Sequence, residues 1–176
     1  MKIDFLEEIK IPEKVQVLID EKIAVKGPKG EVQRRFADKK ISLKVKEGKV
    51  VVESKNGTKR EKSRLYSLIS HIKNMLKGVT ESYQYEMKIC SGHFPMNIAV
   101  VGNELVVKNF LGESNPRKLK IAENVKVKVE GDHIKIESPD VEAAGRTASD
   151  IEILVKIPHR DRRVFQDGIY IISKPQ

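Results

Sequence analysis

IAVKGPKGEVQRRFADKKISLKVKEGKVVVES, residues 23–54, is written a second time at residues 105–138 as LVVKNFLGESNPRKLKIAENVKVKVEGDHIKIES. Ile23, Ala24, Val25, Lys26 and Gly30 align with Leu105, Val106, Val107, Lys108 and Gly112 at a shift of 82. Val50 to Ser54 aligns with Ile134 to Ser138 at a shift of 84, so small loop insertions separate the copies. Each copy runs through several strands and then a segment of helical period. Such a unit is too small to bury much surface alone but is viable as one of a packed pair.

Working outward, alternation marks the strands. Ile41, Leu43 and Val45 interleave with Ser42, Lys44 and Lys46, and Val125, Val127 and Val129 with Lys126, Lys128 and Glu130, so one face of each run is buried. Gly-centred turns at 46–49 and 130–133 fold these runs into antiparallel hairpins. Leu65, Leu68, Ile69, Ile72, Leu76 and Val79 recur three or four apart, which predicts a helix from Lys59 to Lys77 closed by Gly78 in the left-handed conformation. A second helix is predicted from Pro139 to Lys156, with Ser138 as N-cap and a stripe of Val141, Ala144, Ala148, Ile151 and Val155. Tyr83 to Ile89 reads as the first strand of the second copy and Ile169 to Ile172 as a terminal strand. The domain boundary therefore falls between residues 82 and 83, giving domains 1–82 and 83–176 with no Gly/Ser spacer between them.

The chain has 176 residues, a net charge of +9 and 34% charged residues, well above the usual quarter. A cationic field of this size favours a polyanionic partner, nucleic acid first. The same Lys and Glu enrichment, with no Trp, also describes an ion-paired surface of a heat-adapted protein. Residues 1–82 hold 20 Lys and Arg against 12 Asp and Glu; residues 83–176 hold 14 against 13. Five of the nine Arg nevertheless lie in the second copy, and Arg is the better reader of phosphates and bases. A lone Cys90 allows no intrachain disulfide and fits a reducing cytosol. The acidic residues among the first seventeen argue against a signal peptide, and no apolar run is long enough to span a bilayer.

Catalysis finds no support in the motifs. Gly27-Pro28-Lys29-Gly30 lies between strand patterns, where Gly and Pro make a turn, rather than between helices as in a nucleic-acid-clamping loop. Cys90 and His93 have a zinc-compatible spacing but no second pair. No phosphate loop, nucleophile elbow or paired catalytic carboxylates occur, so no metal, cofactor or small-molecule substrate is expected.

Two segments carry recognition chemistry. From Lys156 through His159, Arg160, Arg162, Arg163, Phe165, Gln166, Asp167 and Gly168, a loop concentrates cations, stackable rings and hydrogen-bonding groups, the mixture that grips folded RNA. The same composition also makes an ordinary solvated turn. The second segment joins Asn109, Gly112, Asn115, Arg117 and Lys118 to Ser91 and His93, whose turns expose backbone N–H groups to phosphates. Its alternative is a hairpin loop with Phe110 and Leu111 tucked into the sheet.

His93-Phe94-Pro95-Met96, Asn109-Phe110-Leu111-Gly112-Glu113, Gly145-Arg146-Thr147-Ala148-Ser149-Asp150-Ile151-Glu152 and Arg162-Arg163-Val164-Phe165-Gln166-Asp167-Gly168-Ile169-Tyr170-Ile171 together resemble the large-subunit ribosomal protein L-six family, in its archaeal and eukaryotic branch. The likeness spans the chain in order, and the Val164 to Tyr170 string is its most specific part. It implies an α+β class: two tandem similar domains from internal duplication, each an antiparallel β-sheet packed with one α-helix. It also implies a structural, non-enzymatic role in the cytoplasm on the large ribosomal subunit. The expected partners are large-subunit rRNA close to the sarcin-ricin loop, neighbouring large-subunit ribosomal proteins and, transiently, translational GTPases, with no membrane. In the family the second domain is the main RNA-binding half, which carries onto Arg162 to Gly168 and then onto the Asn109 and His93 turns. The tail departs from the bacterial pattern, so bacterial contacts do not transfer to it. The Lys-rich first domain is expected to supply long-range attraction. A protein–protein adaptor that adds the edge strand at 169–172 to a partner's sheet is the main alternative.

Overall fold

The computed structural model describes residues 3–20, 22–36, 38, 40–46, 48–161 and 163–175. The chain divides into two compact units, Met1–Ser82 and Tyr83–Gln176. The first contains β1 (Ile3–Lys10), β2 (Gln16–Ile19), β3 (Lys22–Gly27), β4 (Gly30–Arg35), β5 (Ile41–Lys46), β6 (Lys49–Gly57) and α1 (Lys59–Glu81). The second contains β7 (Tyr83–Cys90), β8 (Asn97–Val101), β9 (Glu104–Lys108), β10 (Arg117–Lys120), β11 (Lys126–Glu130), β12 (His133–Ser138), α2 (Val141–Leu154) and β13 (Gly168–Ser173).

Every strand pair is antiparallel. The pairing is divided over two sheets per unit, β1-β6-β5 with β2-β3-β4, and β11-β12-β7-β13 with β10-β9-β8. Apart from β13 the two units share one topology, which is what the repeated sequence requires. Ile23 and Val25 on β3, and Leu105 and Val107 on β9, are buried at equivalent places, as are Val50 and Val52 on β6 and Ile134 and Ile136 on β12. Ser54 and Ser138, the last residues of the repeated string, are both 1% exposed.

Each helix lays its apolar stripe on its own sheets. Leu65, Leu68, Ile69, Ile72, Leu76 and Val79 join Ile23, Val25, Val50 and Val52 in one core. Ala144, Ala148, Ile151 and Val155 join Met87, Leu105, Phe110, Ile134, Ile136 and Ile169 in the other. Full burial of such aliphatic side chains stabilises by about 1.5–3 kcal/mol each before entropy is counted. The small residues of α2 set its approach: a Cβ on Gly145 would lie 2.9 Å from the Tyr85 hydroxyl.

Both helix ends differ from expectation. α1 does not stop at Gly78, which is buried within the helix; Ser82, at φ +57°, is the cap instead, and its N–H donates to Gly78 O. The extra turn exists because Val79 completes the core and its carbonyl accepts the Lys29 N–H at 3.0 Å. Gly27 lies beneath it, where a Cβ would sit 2.8 Å from Val79 side-chain and backbone atoms. The Gly27 to Gly30 motif is therefore a tight strand turn seated against the end of α1. α2 begins at Val141 rather than Pro139, and its N-cap is Asp140, which accepts the Glu142 N–H. Ser138 remains in β12 opposite Tyr83; its hydroxyl donates to Asn124 O and accepts the Asp140 N–H. Tertiary pairing of Ser138 thus moved the cap two residues along.

The start of α1 holds a buried carboxylate. Glu61 is 7% exposed and accepts the Thr58 hydroxyl, the Lys40 ammonium at 2.9 Å and the Thr58 N–H at 3.0 Å. These donors lower its carboxyl from the ordinary 4.5 to about 2. Because the folded value is the depressed one, this stabilisation is complete above about 4.5 and fades as the pH falls towards 2. Glu61→Gln should be less stable than the parent in urea unfolding at neutral pH, and the gap should close across that acid window.

Candidate nucleic-acid interface

The second unit elaborates the common scaffold in two places, a longer connection between matching strands and a segment with an added strand after the helix. β3 passes to β4 through the two residues Pro28 and Lys29, whereas β9 passes to β10 through residues 109–116. α1 passes to β7 through Ser82 alone, whereas α2 passes to β13 through residues 155–167. With the β7–β8 connection, residues 91–96, these segments make the candidate surface.

Asp167 fastens two of them. Its carboxylate is 3% exposed. Oδ1 accepts the Gly92 N–H at 2.7 Å and the His93 N–H at 2.9 Å, and Oδ2 lies 2.6 Å from His93 Nδ1. Burial raises this carboxyl, the hydrogen bonds from His93 and Gly92 lower it, and the hydrogen bonds prevail, leaving it below its ordinary value. Asn109 fastens the third: held at φ +60°, it donates from Nδ2 to Pro95 O at 2.9 Å. Gly112 has φ +80°, and a Cβ built on it would lie 3.7 Å from the half-exposed Phe94 ring. The two segments read separately from sequence are thus one surface.

Planar groups stack on it. The His93 and Phe165 rings lie 4.8 Å apart and 15° from parallel, and the Arg160 guanidinium sits 4.6 Å from the same Phe165 ring. Asp161 shapes the adjoining turn, accepting the Arg163 N–H at its carboxylate and the Val164 and Phe165 N–H groups at its carbonyl. Arg163 Nε also reaches Asp161 at 3.3 Å, but its side chain is 92% exposed, so the charge remains available in water. Lys156, His159, Gln166, Ser91, Asn115 and Lys118 are exposed as well. Arg162 lies outside the described residues.

Besides Asn109, three of the residues singled out from sequence serve the scaffold. Asp167 is the buried latch described above. Gly168 is buried because the Tyr170 ring folds over it, its hydroxyl 3.0 Å from where a Cβ would stand. Arg117 faces inward: Nε and one terminal nitrogen donate to both oxygens of Glu113 at 2.9 and 2.6 Å, and the other donates to Leu154 O at 2.7 Å. Its guanidinium also covers the buried Phe110 ring at 4.3 Å. These bonds hold the Glu113 carboxyl below its ordinary value. Arg117 thereby ties the β9–β10 loop to the last turn of α2. Sequence reasoning gave Phe94 and Glu113 no role of their own; nothing in local pattern distinguishes an Arg that pairs internally from one that does not.

Among the described residues no three His, Cys, Asp or Glu gather as a metal site, and no helix is long and apolar enough to cross a membrane. Comparison with known proteins agrees with the quoted motifs. The model of the family described as ribosomal protein L6 matches residues 11–82 and 94–168. The chain belongs to that family. The two matched stretches are the two copies. Similar members include the large ribosomal subunit protein uL6 of Sulfurisphaera tokodaii, 46% identical over 170 residues that cover 96% of this chain and 91% of that one. The uL6 of Saccharolobus solfataricus is also 46% identical, covering 96% and 94%. That of Natronomonas pharaonis is 40% identical over 169 residues, 96% of each.

Proposed function

We propose that this protein is a structural constituent of the large ribosomal subunit, working in the cytoplasm, and that its second unit binds large-subunit rRNA through the surface latched by Asp167. Family membership supports the ribosomal role and a role without catalysis. The observation that carries the rest is geometric: one buried carboxylate joins residues that stand 74 and 75 apart in sequence, and Lys156, Arg160 and Arg163 stand on one of the loops it holds, with Lys118 on β10. Arg160, Arg163, Lys156 and Lys118 would hold phosphates. His159, Gln166, Ser91 and Asn115 would meet sugar and base edges, and the His93–Phe165 stack would offer a flat rim. By family resemblance the site lies near the sarcin-ricin loop, beside neighbouring ribosomal proteins and where translational GTPases engage.

Changing Arg160 and Arg163 together to Ala tests this. Binding to an rRNA fragment containing the sarcin-ricin region should weaken about tenfold or more at low salt. Its log–log salt slope should fall by about 0.9 for each phosphate that the variant no longer neutralises. Parental affinity and slope in the double variant would remove this loop from the interface.

A further inference from the structure

The first unit holds most of the net positive charge, and α1 shows where part of it goes. Its exposed residues are Lys59, Arg60, Lys62, Ser63, Arg64, Tyr66, Ser67, Ser70, Lys73, Asn74 and Lys77, with Glu81 at the end. Glu61 is the helix's other acid and is buried. From Lys59 to Thr80 the outward face therefore carries six cations and no carboxylate.

This is not how an ion-paired surface helix is written. Such helices alternate Glu and Lys four apart on the exposed face, whereas the first-turn acid of α1, Glu61, is buried. Elsewhere this protein follows that practice in its strands, where Lys26 meets Glu31, Lys49 meets Glu8 and Lys135 meets Glu130. On α1 the cations crowd the first turns, at the positive end of the helix dipole, and none stands in the last turn. That placement is destabilising, and departures from local rules that weaken a fold concentrate where function needs them. Asp38, outside the helix, pairs with Arg64 at 3.1 Å, and Glu7 of β1 accepts the Tyr66 hydroxyl at 3.0 Å.

The polar pattern names the partner. Cations cluster at 59–64 and again at 73–77, roughly 15–25 Å apart along the axis. Between them lie Ser67 and Ser70, with Ser63 and Asn74 beside the cations on the same exposed face. Two rows of phosphate with hydroxyls between them is what the shallow minor groove of an RNA helix presents. We infer that the outer face of α1 is a second RNA-binding surface, which lies across the minor groove of an rRNA duplex and recognises it by shape rather than by sequence. The inference rests on the proposed rRNA partner but assigns a contact to a different unit.

The test uses the full chain carrying Lys59→Ser, Arg60→Ser and Lys73→Ser, all at exposed positions, with an unrelated RNA duplex of about 16 base pairs as probe. The triple variant should bind at least about tenfold more weakly at low salt, with the salt slope reduced by about two units. It should also melt at a higher temperature than the parent, because cations have left the positive end of the helix. The Arg160, Arg163 double variant should keep parental affinity for this probe, which separates failure of this surface from failure of the loop site. Unchanged duplex binding in the triple variant would overturn the inference, as would a fall in melting temperature, which would make the cations part of the fold. A DNA duplex bound as tightly as RNA, or an acidic peptide bound more tightly than either through the same residues, would overturn it too.

Discussion

Replacing Asp167 by Ala is expected to destabilise the second unit by about 2–3 kcal/mol in urea unfolding and to abolish most rRNA-fragment binding, although Asp167 itself is buried. The side chain accepts three hydrogen bonds, from the Gly92 and His93 N–H groups and the His93 ring. Bonds to a charged acceptor contribute about 1.5–3 kcal/mol each, of which water recovers part once the loop opens. The binding loss has a different cause. Without the latch, residues 91–93 and 159–167 must be ordered on RNA at the moment of contact, and that entropy comes out of the affinity. Asp167→Asn keeps the shape and one carbonyl acceptor, so it should fall between parent and Ala in both measurements. The contribution of the latch is present above the ordinary carboxyl pKa and is lost as the pH falls through the depressed folded value, so the parent should lose its advantage over Asp167→Asn only in strong acid. Equal stability and equal binding in all three proteins would show that the loops are held by something other than this carboxylate.

Arg117→Ala is expected to cost a comparable 2–3 kcal/mol, yet to leave the salt slope of RNA binding unchanged. Its guanidinium makes a two-pronged pair with Glu113, caps Leu154 O and covers Phe110. Removing it leaves the Glu113 carboxylate and a helix-end carbonyl without their donor. Arg117→Lys should recover less than half of the loss, because an ammonium cannot reproduce the planar fork. Calorimetric melting and salt titration of the same preparations separate the two roles. A slope reduced by about 0.9 with no change in melting would make Arg117 a phosphate contact instead.

Arg117 and Arg163 show how far a reading of residues reaches. Both stand on or beside Gly-, Ser- or Asp-bearing loops of the second copy, Arg117 as the first residue of β10, and both suggested a grip on phosphate. One is enclosed by Glu113, Leu154 and Phe110; the other is almost fully in water. Sequence distance hides the difference, since Leu154 is 37 residues from Arg117. The same limit explains the misplaced helix ends. Gly78 has the composition of a cap, but Val79 is needed in the core; Ser138 has the composition of an N-cap, but it is held in β12 by Tyr83 and Asn124.

The amino-acid sequence by itself determined the duplication, the α+β class, the antiparallel hairpins, the apolar faces and the family. These follow from short-range periodicity, from turn residues and from strings long enough to be specific. Only the tertiary structure decided which polar residues face inward, because burial and hydrogen bonding depend on partners brought close by folding. Asp167, by joining its own loop to the turn at 91–93, is one such residue, and the candidate surface takes its shape from that contact.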